Sequence, residues 1–294
     1  RLTKSGTFGV AINTATPTVL NLADRTDSAQ TNYPGLLDEV KIFNYARSAA
    51  QVALDYNQGK PVGHWKFDEC QGATAGDSMG NDNGTLTAGA GGNTAIGTCT
   101  GSDNTMRKDA VTGKYNYALD FDGTDDYVDL GSPTLFNFGS NDFAYSAWIR
   151  TSTASLQRLV AQDSDLTNSR HIGITSSGYA EFFCRDSAGD SVNPVGSTAL
   201  TDSNWHHVVG IRKGTTGYLY VDGKLKASAT NASLDSCDGG TSTRVGGRNH
   251  ASGLYFNGFV DDVKLFNYAL TAAQVKTLYN QAGAVRYGPL TGAP

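Results

Sequence analysis

Six carboxylates stand where they could act together. Asp122, Asp125, Asp126 and Asp129 fall within eight residues, and Asp261 and Asp262 are adjacent. Carboxylates so crowded can hold a hard cation or share acid and base work. A retaining glycosidase needs two of them on one face, about 5–5.5 Å apart. The chain has three Glu (Glu39, Glu69, Glu181), and no two lie within ten residues of each other. His171, His206, His207 and His250 could join a Ser and an Asp on paper, but no G-x-S-x-G turn presents a nucleophile. The residue types favour binding over catalysis.

A second group has the chemistry of sugar recognition. The run "YAEFFCRD" alternates, so Tyr179, Glu181 and Arg185 share one face, opposite Phe182 and Cys184. The loop "GGRNHASGLYFNG" adds Arg248, Asn249, His250 and Tyr255. A planar ring beside Arg and Asn can stack on a sugar and bond its hydroxyls. His206 and His207 sit inside a strand pattern and read as structural. The four cysteines, Cys70, Cys99, Cys184 and Cys237, form no C-x-x-C pair, which argues against zinc or thiol redox chemistry. Their even count favours disulfides and an oxidising, extracellular or cell-surface setting. Of three connectivities, Cys70–Cys99 with Cys184–Cys237 is preferred.

Strands must position these groups. Gly, Thr, Ser, Asn and Asp abound among the 294 residues, and only 17% are charged, a poor composition for long helices. "YALDFDGTDDYVDLG" alternates around an Asp-Gly turn. "FAYSAWIRT" places Phe143, Tyr145, Ala147 and Ile149 on one face, with Ser146, Trp148 and Arg150 on the other. "NWHHVVGIRKGTTGYLYVDGKLKASA" reads as successive antiparallel strands. One short helix is expected in "TAAQVKTLYNQAG", with Thr271 as N-cap and Gly283 at its end; Ser48 would cap an earlier counterpart. The net charge of −5 comes without a basic stripe, which excludes a nucleic-acid partner. No apolar run reaches the roughly 18–20 residues of a membrane span. No signal peptide precedes Arg1, as expected of a mature or trimmed chain.

The chain also repeats itself. From Asp38 to Gln58, fourteen of 21 residues recur without a gap 223 positions later, from Asp261 to Gln281. Arg25 falls on Arg248, Gly35 on Gly258 and Val62 on Val285 in the same register. The reading is a tandem array: residues 1–60 end one module, 61–283 form a whole one, and 284–294 are a linker or begin the next.

The motifs "VGHWKFDE", "DSMGNDNGTL", "YALDFDGTDDYVDLG", "FAYSAWIRT", "SNWHHVVGIRKGTTGYLYVDGK" and "GFVDDVKLFNYALTAAQVKTLY" follow in that order. Together they resemble laminin-G-like modules of the concanavalin A-like lectin/glucanase superfamily, the kind found in tandem in bacterial surface proteins. The resemblance implies an all-β fold, a two-sheet antiparallel jelly-roll sandwich with a short helix after the closing strand. Laminarinase-type relatives carry catalytic Glu in an E-x-D-x-E strand, which this chain lacks, and the Asp122–Asp129 cluster matches turns. In hydrolase relatives, V-D-x-V-x-V-Y places a calcium-binding Asp on the closing strand; the resemblance puts Asp261 in that role. Asp68, Asn81 and the Gly84 carbonyl, from the opening strand and its loop, are the expected co-ligands for Ca2+. Asp38 takes the equivalent place in the first copy, without matches for Asp68 and Asn81. The expected function is a non-catalytic, calcium-stabilised carbohydrate-binding or adhesion module. Its partners would be a polysaccharide or glycoprotein glycan and neighbouring modules or subunits. The alternative is a structural module of a surface fibre, completed by strands of another subunit.

Overall fold

The computed structural model describes residues 59–80, 82–100, 104–107, 113–163, 168–250 and 253–280, with Gly35, Leu36, Val40, Ile42, Phe43, Ala46, Arg47 and Val52 before them. Period-two segments become strands of two antiparallel sheets. One sheet contains β1 (Gly63–Trp65), β4 (Leu119–Asp122), β6 (Phe143–Arg150), β12 (His206–Lys213), β13 (Thr216–Val221), β14 (Lys224–Thr230) and β16 (Asn257–Phe266). Its order is β1-β16-β6-β12-β13-β14, with β4 also against β16. The other contains β2 (Thr74–Ala75), β3 (Gly84–Thr87), β5 (Tyr127–Asp129), β7 (Gln157–Asp163), β8 (Ser169–Ile174), β9 (Tyr179–Arg185), β10 (Ser191–Val192), β11 (Val195–Ala199) and β15 (Arg244–Val245). It runs β10-β9-β8-β7-β15-β5-β3-β2, with β11 also on β9. This is the two-sheet antiparallel sandwich that the resemblance implied.

The core lies between the sheets. Phe143, Tyr145, Ala147 and Ile149 of β6 face Ile172 and Ile174 of β8 and Phe182 of β9, all fully buried. The sheets touch at Gly210 of β12, where an added Cβ would lie 2.4 Å from Phe182 and 2.5 Å from Ile172. Alternation also turns Arg170 of β8 inward. Its guanidinium is satisfied there by Asp238, the Phe136 carbonyl and the Tyr145 hydroxyl, which accepts from Nε at 2.6 Å.

Three local features sharpen the sequence reading. The Asp-Gly turn at Asp122-Gly123 closes no hairpin: β4 pairs with β16, while β5 pairs with β3 and β15, so the turn carries the chain between sheets. The Asp222-Gly223 turn does close one, both residues at positive φ (51° and 73°) between paired Val221 and Lys224. The α-helix near the C-terminal end, α1 (Ala272–Asn280), starts at a capping box. Thr271 Oγ1 accepts from the Gln274 amide at 3.3 Å, and Gln274 Oε1 accepts from the Thr271 amide at 2.8 Å. Gly283 and the Ser48 helix lie outside the described residues.

Helix α1 lies over the outer face of the seven-stranded sheet. Tyr279 stacks on Trp148 at 5.6 Å and 18°, and Val275 is fully buried. This cover explains why Ser146 and Trp148, on the polar side of the β6 pattern, are also buried. Both preferred disulfides are present, Cys70–Cys99 and Cys184–Cys237.

Contact density divides the chain into Arg1–Arg47 and Ser48–Pro294. The repeated residues differ in burial between copies. Val263, Leu265, Phe266 and Val275 are 0–2% exposed, whereas their counterparts Val40, Ile42, Phe43 and Val52 are 48%, 68%, 38% and 55% exposed.

Candidate functional site

The outer face of the nine-stranded sheet carries a buried charged cluster. Its positions follow from register. Asp129, Arg244, Ala161, His171 and Phe183 form one cross-strand row over β5, β15, β7, β8 and β9. Arg158, Gly173 and Glu181 form the neighbouring row. Gly173 has no side chain to stand between its neighbours, and Arg158 Nη1 reaches Glu181 Oε1 at 2.8 Å. An added Cβ at Gly173 would lie 2.4 Å from the Gln157 carbonyl and 3.6 Å from Nη1 of Arg158.

Around this pair, His171 Nε2 lies 3.4 Å from the same Glu181 oxygen, and its ring stacks on Phe183 at 5.1 Å and 23°. Arg248 Nη1 donates to Asp163 Oδ2 at 3.0 Å. Arg244 lies over the Tyr127 ring at 4.0 Å, with Nε 3.5 Å from Asp129. Burial pushes the His171 pKa down to about 4, beyond what the Glu181 hydrogen bond restores, so the ring is neutral at pH 7. Burial alone would raise the Glu181 pKa; the His171 hydrogen bond and the Arg158 charge outweigh it and keep the carboxylate ionised. Burial lowers the Arg158 pKa, opposed by Glu181 and Asp163. His171 Nδ1, Arg158 Nε and Asp163 Oδ1 are buried with no hydrogen-bond partner. Unsatisfied buried polar atoms cost about 1–3 kcal/mol each, so they mark a place where a polar ligand gains most.

The residues expected at the ligand face divide around this cluster. Glu181 and Arg248 belong to it. Tyr179 and Arg185 sit half-buried at the two ends of β9. Tyr255 packs against glycines of its own loop: an added Cβ at Gly247 or Gly253 would fall 2.9 or 2.0 Å from the ring. Asn249 Nδ2 donates to Ser242 Oγ at 3.4 Å, and His250 is exposed. Arg158, Asp163 and His171 were not among the expected ligand residues. A visible signal was the polar content of "QRLVAQD" and "SRHIGI", unusual for strands that are almost wholly buried.

Asp261, the closing-strand residue expected to bind calcium, is in the seven-stranded sheet. Val260 and Val263 of β16 both point into the core, and a bulge between Asp261 and Lys264, with Asp262 at φ 53°, turns both aspartates outward. Their environments differ. Asp262 faces His64 Nε2 at 2.7 Å and Lys264; burial would raise its pKa, but these partners bring it to about 2. Asp261 is fully buried and accepts from the Tyr115 amide at 2.8 Å through Oδ2, while Oδ1 has no partner. Burial, then the charges of Asp262 and Asp68, pushes its pKa up to about 8 against the pull of the Tyr115 and Lys114 amides. Asp68 thus stands within electrostatic reach of Asp261. Gly84 stands in β3 of the opposite sheet, and Asn81 lies outside the described residues. The loop between them is tied to Asp77, whose carboxylate accepts from the amides of His64, Met79 and Asp82.

The Asp122, Asp125 and Asp126 carboxylates lie within 4.8 Å of one another. They accept from the amides of Gly89, Ala90, Gly91, Asn93 and Thr124 and from Asn93 Nδ2, and so stitch the 89–93 loop to the β4–β5 turn. This is the turn role expected of them. His206 is bracketed by Asp222 at 2.8 Å and Asp202 at 3.0 Å, and His207 Nε2 meets Ser146 Oγ at 2.9 Å, both structural contacts.

The family model described as the concanavalin A-like lectin/glucanases superfamily matches residues 122–276, more than half of the chain. The chain belongs to that superfamily. No curated protein sequence is similar to it. Among solved structures, the binding domain of Paraclostridial Mosquitocidal Protein 1 is similar over 76% of this chain and 52% of its own, with TM-score 0.58 and 16% identity. The botulinum neurotoxin serotype G binding domain is similar over 76% and 52%, with TM-score 0.55 and 13% identity. Domain 4 of AbnA, a GH43 extracellular arabinanase from Geobacillus stearothermophilus solved in complex with arabinotriose, is similar over 75% of this chain and 98% of its own, with TM-score 0.51 and 21% identity. The chain spans about half the length of the two toxin domains, and at these identities the likeness is one of fold.

Lectin and glucanase members of the superfamily place different demands on a carboxylate. Hydrolysis needs a protonated acid beside the leaving oxygen. Within this cluster, at pH 7, Glu181 is an ion-paired carboxylate and His171 a neutral ring, groups that accept and donate hydrogen bonds.

Proposed function

We propose that this chain is a non-catalytic carbohydrate-binding module that works outside the cell. The observation that carries the reading is the cluster of Arg158, Asp163, His171, Glu181 and Arg248 on the outer face of the nine-stranded sheet, with three buried polar atoms awaiting partners. A sugar ring beside Phe183 and His171 would meet both donors and acceptors there. The arabinotriose complex of the AbnA domain supports this choice of ligand class, and the two disulfides support an oxidising compartment. A glycan array followed by calorimetry with arabinotriose tests it. Binding lost on Arg158→Met supports the reading; an array with no binder overturns it.

Calcium is part of the same proposal. The orphaned Oδ1 of buried Asp261 and the neighbouring Asp68 are hard oxygens of the kind the ion takes, and they are the residues that would hold it. When bound, the ion would neutralise charge that burial otherwise disfavours.

The exposed apolar residues of the first copy favour a second reading, a structural module. Ile42 and Phe43 repeat residues that are fully covered in the second copy, and strands from a neighbouring module or subunit would cover them in the same way. Sedimentation of the full chain across concentrations tests this: association weakened by Ile42→Ser supports it, and a monomer throughout counts against subunit exchange.

A further inference from the structure

The opposite face of the sandwich holds a cleft that the carbohydrate reading does not use. β4, β16 and β6 are adjacent, and register places Asp120, Phe259 and Arg150 in one cross-strand row. Trp205 extends the row, since it precedes His206, which pairs with Ile149 beside Arg150. Phe259 and Trp205 are both half-buried, their centroids 6.5 Å apart at 59°. The Arg150 guanidinium lies 4.2 Å from the Phe259 centroid and 5.5 Å from that of Trp205. Beside them opens a cleft of about 320 Å³ lined by Asp120, Arg150, Ser152, Ser203 and Phe259.

Arg150 is the informative residue. The other arginines of β7, β8 and β15 each meet a carboxylate: Arg158 meets Glu181, Arg170 meets Asp238, and Arg244 meets Asp129. Among the described residues the Arg150 guanidinium has these two ring contacts and no hydrogen bond or ion pair. Five planar donors held against aromatic rings form a fork that matches a carboxylate. The rings flank the guanidinium and offer an apolar surface to a sugar, while Ser152 and Ser203, which also line the cleft, can bond hydroxyls. A cleft of this volume is at the small end for ligands, near 300 Å³, which suits one sugar unit.

We propose that this cleft is a second saccharide site, selective for a sugar that carries a carboxylate, a hexuronate unit. The Arg150 guanidinium would hold the carboxylate, with Phe259 beside the ring and the cleft-lining Ser152 and Ser203 on the hydroxyls. The proposal extends the carbohydrate-binding reading to another sheet without depending on its residues.

The test is calorimetry of the full chain with a galacturonate trisaccharide and the matching neutral galactose trisaccharide. Variants are Arg150→Met, which keeps the aliphatic stem, and Ser152→Tyr, which fills the cleft from an exposed position. Thr198→Ala, an exposed position of β11 outside both sites, serves as the control on the other sheet. The expected result is at least tenfold tighter binding of the acidic sugar, lost in both cleft variants and kept in Thr198→Ala. Acidic-sugar binding that survives both cleft variants, or that disappears in Thr198→Ala, overturns the proposal, as does its absence in the full chain. If the acidic sugar binds through Arg150 while Arg158→Met changes binding of no sugar, the second site stands and the first fails.

Discussion

Arg158 and Glu181 meet over the bare backbone of Gly173, which stands between them in the sheet, with Nη1 and Oε1 2.8 Å apart. Both side chains are mostly buried, so the pair is worth little as net stability but costs much to break. Glu181→Ala should destabilise the chain by about 3 kcal/mol, because it leaves a buried guanidinium uncompensated. Gly173→Ala should cost about 1–3 kcal/mol through the clash with the Gln157 carbonyl. Urea denaturation of both variants measures these effects; a change below 0.5 kcal/mol, about the spread of surface substitutions, would contradict the first.

His171 and His207 make stability depend on pH. Burial is the leading cause of both shifts, which bring each pKa from 6.5 to about 4. The unfolded chain therefore binds protons that the folded chain refuses, and stability falls as pH drops from about 6.5 towards 4. Each ring accounts for up to about 3 kcal/mol of that loss. His206 has the opposite sign: its pKa is raised, mainly by the Asp222 hydrogen bond, and its contribution fades as pH rises through the raised value. Chemical denaturation at pH 7 and pH 4.5 should show a smaller difference for His207→Gln than for the parent chain.

Calcium should raise the melting temperature if Asp261 and Asp68 hold it. Native-state binding stabilises by about 2.7 kcal/mol at a hundredfold excess over Kd. EDTA should lower the melting temperature of the parent chain and leave Asp261→Asn unmoved. An unchanged parent chain would remove the metal from the account.

The disulfides differ in what they enclose. Cys184–Cys237 spans 53 residues and joins β9 to the loop before β15, whereas Cys70–Cys99 spans 29. Loop-closure entropy gives each about 3–4 kcal/mol, the longer loop slightly more. The paired change Cys184→Ser with Cys237→Ser should lower the urea midpoint at least as much as the Cys70–Cys99 counterpart.

Much was legible in the sequence because strands announce their faces locally. The alternation in "FAYSAWIR" chose which four side chains of β6 enter the core, and Thr271 with Gln274 marked where α1 begins. The aspartates of the β4–β5 turn and the two cysteine pairs were also readable. What the sequence could not decide were relations between distant strands. Trp148 looked solvent-facing until α1 placed Tyr279 over it. The candidate cluster draws on β7, β8, β9 and the 248–250 loop, up to 90 positions apart from Arg158 to Arg248, and only pairing register and the Arg248–Asp163 ion pair put them together. The repeat makes the division plain. Val40 and Val263 are the same residue in the same local sequence, yet one is 48% exposed and the other 0%. Local pattern fixes which side of a strand is apolar; whether that side is buried is decided by the tertiary packing around it.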